Sequence, residues 1–136
     1  MRPQDYLLVE GRVRVEIENM GSILDRLQDL GLYPRVCTDM VGGFPITDEN
    51  AARLVGSYLQ DFYNCFENIA KVVARAVDGV GIPEGPEWHA ELLRQMNTPI
   101  RGVRPEVISD ETWRLMDEYR RFRHVFRNVY GFVLDA

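Results

Sequence analysis

The chain has 136 residues, 46% of them hydrophobic and 27% charged, with a formal net charge of −5. That composition excludes a disordered or low-complexity chain, and no apolar run approaches the roughly 18 residues that a membrane-spanning helix needs. An acidic balance also argues against a nucleic-acid binder that works through overall charge. The length fits one domain, residues 1–136, able to bury a real core. The first residues lack the apolar block of a signal peptide, so a cytoplasmic location is expected. Cys37 and Cys65 show no CxxC spacing, so neither a zinc ribbon nor a disulfide framework is expected, and Cys65 reads as a small buried residue.

A first helix is expected from about Asp5 to Leu30, with Leu8, Val13, Ile17, Met20, Ile23, Leu24, Leu27 and Leu30 on one apolar stripe. Gly11 and Gly21 weaken it and offer room for another helix, and Gly31 suits its C-terminal cap. Residues 32–47 read as a loop containing Pro34, Gly42, Gly43 and Pro45, tied to the body by Tyr33 and Phe44. A second helix starts at a Thr47 or Asp48 cap and runs to Ala76 or Val77. Its apolar face is broad enough for the centre of a bundle. A short third helix spans about Glu87 to Met96, with Trp88, Leu92, Leu93 and Met96 buried. A fourth starts at a Ser109 cap and reaches about Tyr130. No strand pattern is visible. The expected fold is all-α, an up-and-down helical bundle of four main helices.

Of the sixteen basic residues only Lys71 is a lysine, and five of the fifteen arginines fall in the fourteen residues from Arg114 to Arg127. Arginine suits bidentate contact with phosphate or carboxylate. Within this segment Tyr119, Phe122, Phe126 and Val129 follow a helical period and mark a buried stripe. Arg123, Arg127 and Tyr130 share a second face. His124 and Asn128, at i, i+4 spacing, share an adjacent one. The same arginines could instead complement the negative end of the helix dipole or pair with acids on a neighbouring helix.

Other sites are weaker. His89 reads as a surface or satisfied histidine. With two histidines and no HExxH or His/Cys cluster, no protein-built metal site and no cofactor are expected. The acids Glu16, Asp25, Asp61 and Glu67 form no ExxH pair, and no Walker loop, GxGxxG or nucleophile elbow is present.

Three segments, Tyr58 to Ile69, Trp88 to Leu93 and Tyr119 to Asp135, resemble the HEPN superfamily and within it the HepT-like group. The resemblance implies a dimerising helical bundle that acts as the ribonuclease toxin of a toxin–antitoxin pair. It implies RNA as substrate and a cognate small nucleotidyltransferase as antitoxin. The hallmark Arg-x4-His-x-Tyr falls on Arg123, Asn128 and Tyr130, with asparagine where the family has histidine. By that resemblance Arg123 is catalytic and Tyr130 is the residue the partner adenylylates; Arg120 and Arg127 of the arginine cluster are the candidate binding residues. Metal-independent cleavage needs a proton acceptor and positive charge at the phosphorane. Asn128 can donate a hydrogen bond but cannot exchange a proton near neutral pH. His124, one turn earlier, is therefore the candidate for that role. The alternatives are a non-catalytic HEPN protein that binds RNA or nucleotide or regulates a nucleotidyltransferase, and a purely structural bundle.

Overall fold

The computed structural model describes the backbone of residues 2–134 and the side chains of residues 2–122. Helix α1 spans Pro3–Asp29, α2 Glu49–Val72, α3 Trp88–Met96 and α4 Asp110–Leu134. Two short strands, β1 (Met40–Val41) and β2 (Phe44–Pro45), pair antiparallel in the loop between α1 and α2. The fold is an all-α helical bundle.

Local chemistry sets most boundaries. Proline at the start of α1 gives up an N–H that would have no partner there. Gly31, at φ 75°, ends that helix, and its N–H reaches the Gln28 carbonyl. The Asp48 carboxylate accepts from the Asn50 N–H and caps α2. The Ser109 hydroxyl accepts from the Thr112 N–H and caps α4. Beyond Val72, α2 continues as a π-helical turn over Val73–Val77, where the Asp78 N–H bonds the Val73 carbonyl five residues back.

Helix α2 packs against α1, α3 and α4, the central position its broad apolar face implies. The core joins Tyr63, Phe66, Ala70, Val73 and Ala74 to Leu92, Leu93 and Met96 of α3 and Met116 of α4. Cys65 is buried and Cys37 exposed, both as free thiols.

Helix α1 departs from expectation. It lies at the edge of the bundle against α2 and the π-helical turn, so a narrow seam suffices and Leu27 is its one fully buried residue. Leu8 and Ile17 stand 54% and 57% exposed. Added Cβ atoms at Gly11 or Gly21 would meet nothing within 4 Å, so neither glycine receives a neighbouring helix among the described residues. Tyr33 and Phe44 are also largely exposed, and the hairpin is anchored instead by Val41, which is wholly buried. The strand pairing escaped a periodicity search because each strand has only two residues.

Candidate functional site at the helix α4 face

Helix α4 runs unbroken through the arginine-rich segment. Its backbone therefore carries Arg120, Arg123, His124, Arg127, Asn128 and Tyr130 on one helix. The side chains of Arg123, His124, Arg127, Asn128 and Tyr130 lie outside the described residues, as do those of Phe126 and Val129.

Arg120 can be placed. Its Nε donates to Asp117 Oδ1 at 3.1 Å, and Arg121 reaches Asp117 Oδ2 at 3.0 Å. Asp117 is only 8% exposed. A carboxylate so far from water is stable only when paired, and two guanidiniums meet that need. The acid that restrains these arginines thus lies on their own helix, three and four residues back, and not on a neighbour. The two arginines differ in reach, with side chains 23% and 72% exposed for Arg120 and Arg121.

The apolar side of this segment is mixed. Tyr119 packs on Phe62 of α2 with ring centroids 6.0 Å apart, and burial pushes its phenol pKa up. Phe122, expected in the buried stripe, is 43% exposed. With Leu59, Glu118 and Tyr119 it lines a shallow apolar hollow of about 190 Å³. The helix rotates the 119 position toward α2 and leaves the 122 position at the rim.

One pairing was not visible in the sequence. His89, in the first turn of α3, lies with Nδ1 2.6 Å from Glu67 Oε2 on α2. Glu67 is 6% exposed. Trp88 packs against the His89 ring at a centroid distance of 3.6 Å, and the Lys71 ammonium stands 5.0 Å from the Trp88 ring centroid. The two members of the pair are 22 residues apart on different helices, so no spacing rule could have matched them. Among the described residues no group of three His, Cys, Asp or Glu side chains could hold a metal ion. Among the same residues no helix is long and apolar enough to cross a membrane.

A family model described as HepT-like protein matches residues 54–136, which includes α2 from Leu54 onward, α3 and all of α4. Neither a curated protein nor a solved structure gives a significant match. The family match covers more than half the chain and takes in the three segments that resemble this group. The chain belongs to the HepT-like group of the HEPN superfamily.

Proposed function

We propose that this protein is the ribonuclease toxin of a toxin–antitoxin pair and cuts RNA without a metal. In this reading residues 1–136 are one HEPN domain, cytoplasmic and homodimeric, with α4 beside the two-fold axis. The observation that carries the reading is the family match running through α4, the helix that holds Arg123, Asn128 and Tyr130. The exposed apolar hollow at Leu59, Tyr119 and Phe122 supports a protein contact next to that helix. An isologous contact would set two arginine clusters face to face and give an acidic protein a basic groove. Arg120, Arg123 and Arg127 then bind and polarise the phosphate. A cognate small nucleotidyltransferase silences the toxin by adenylylating Tyr130.

A second reading has its own support. By the resemblance, Asn128 takes the place of the motif's histidine, and Asp117 already holds Arg120 and Arg121. These favour a HEPN protein that binds RNA or regulates its nucleotidyltransferase without cutting.

Incubation with total RNA and tRNA in the presence of EDTA separates the two. Cleavage by the parent protein supports the toxin reading. An inert parent that binds RNA, with an Asn128→His form that cuts it, supports the non-catalytic one. RNA neither bound nor cut by either form refutes both RNA readings. In the toxin reading, mass spectrometry after incubation with ATP and the partner transferase finds adenylate on Tyr130.

A further inference from the structure

The Glu67–His89 pair has the geometry of an oriented proton acceptor. Glu67 is a buried carboxylate that pairs with the His89 ring. A carboxylate at 2.6 Å from Nδ1 accepts a hydrogen bond from an N–H there, which in a neutral imidazole leaves the lone pair on Nε2. Trp88 packs on the ring and limits its rotation. The His89 side chain is 26% exposed, so the imidazole remains reachable from outside. A carboxylate that holds a histidine through one nitrogen and leaves the other for a substrate proton is a recurrent way to build a general base.

The packing puts this pair level with the described arginines. Helix α4 runs back along α3: Asn97 donates to Asp110 at 2.9 Å, and Arg94 lies 4.1 Å over the Trp113 ring. Continuing both helices in opposite senses brings the first turn of α3 to the level of Asp117 and Arg120. On α2, Phe62 meets Tyr119 and Glu67 meets His89, five residues or about one and a half turns further along that helix. Measured along the bundle axis alone, the first turn of α3 and the Asp117 turn of α4 are offset by about one or two helical turns, roughly 5–10 Å.

We propose that His89, held by Glu67, is the catalytic base for RNA cleavage, the proton-exchanging role that Asn128 cannot fill. This inference rests on the ribonuclease reading above and adds a residue outside the α4 motif. In the step, Nε2 of His89 takes the proton of a ribose 2′-hydroxyl. The 2′-oxygen forms a bond to phosphorus as the bond to the 5′-oxygen breaks. The departing 5′-oxygen takes a proton from water, and the imidazolium returns its proton to the resulting hydroxide. The products are a 2′,3′-cyclic phosphate and a free 5′-hydroxyl. Arg120 and Arg121 offset the charge on the phosphorane. Glu67 is a positioning residue that acts through His89.

The test compares the full-length parent with His89→Gln, His89→Ala and Glu67→Gln on tRNA and on a synthetic oligoribonucleotide. Glutamine at 89 can still donate to Glu67, which favours an intact fold; circular dichroism and RNA affinity check this. The expected result is cleavage lowered about 10²–10⁴-fold in His89→Gln with RNA affinity retained. Imidazole added to the buffer should restore part of the cleavage by His89→Ala, which a merely structural histidine would not allow. If His89→Gln does not fold, the imidazole response of His89→Ala and the loss in Glu67→Gln decide the matter. Cleavage by folded His89→Gln within threefold of the parent overturns this proposal and leaves the ribonuclease reading standing. A parent that binds RNA but never cuts it overturns both the proposal and the toxin reading, and leaves RNA binding.

Discussion

Arg104 grips Asp78 with two parallel hydrogen bonds, Nε to Oδ1 at 2.6 Å and the terminal nitrogen to Oδ2 at 2.8 Å. The side chains are 8% and 0% exposed. Arg104 also donates to the carbonyls of Gln95, Thr98 and Pro105, and Gln95 donates to Asp78. The end of the π-helical turn, the end of α3 and the connector before α4 are thereby tied at one point. Removing one partner leaves an uncompensated buried charge, so Arg104→Met should cost about 3–5 kcal/mol. Urea unfolding followed by circular dichroism measures it. A loss under about 1 kcal/mol would show that the clamp contributes little.

The same pair makes a pH prediction. Burial raises the Asp78 pKa, but the hydrogen bonds from Arg104 and Gln95 and the Arg104 charge outweigh it and hold the carboxyl below its usual value of 3.8. A depressed folded-state pKa means that the unfolded chain binds the proton more readily. The stabilisation is therefore complete above about 3.8 and is lost as pH falls through the lower folded value. The stability gap between the parent and Asp78→Asn should be widest near neutral pH and narrow below pH 4. Urea midpoints at several pH values test this.

The two thiols should react very differently. Burial first, then the hydrogen bond and charge of Glu16 and the charge of Asp61, push the Cys65 pKa up to about 11. At pH 8 only about one Cys65 in a thousand would be thiolate, even before access is considered. Cys37 is exposed. Iodoacetamide should label Cys37 within minutes and Cys65 only in denaturant, as read by peptide mass spectrometry.

Arg121 offers a separation of stability from binding. Its side chain is 72% exposed and its ion pair with Asp117 is local, so Arg121→Ala should change stability by no more than about 0.5 kcal/mol. If Arg121 contacts an RNA phosphate, the same change should reduce the slope of log affinity against log salt by about 0.7. Fluorescence anisotropy with a labelled single-stranded RNA at several salt concentrations gives the slope. An unchanged slope would place Arg121 outside the RNA contact.

What the sequence determined by itself was local. Helical periodicity, the Asp48 and Ser109 caps and Gly31 set the helical class and most boundaries, because each acts within about one turn of chain. From sequence, acids to pair with the α4 arginines are sought on a neighbouring helix, whereas Asp117 pairs with Arg120 and Arg121 within α4 itself. The family resemblance singled out α4 through the spacing of Arg123, Asn128 and Tyr130. Tertiary structure decided what depended on packing between helices. It left Leu8 and Ile17 of the α1 stripe in solvent because an edge helix needs only a narrow seam, and it turned Phe122 to the rim. It joined Asp78 to Arg104 across 26 residues and Glu67 to His89 across 22. Burial makes an unpaired carboxylate costly, so Glu67 and Asp78 required partners. Which residues would supply them was fixed only when α3 and the connector before α4 settled against the end of α2.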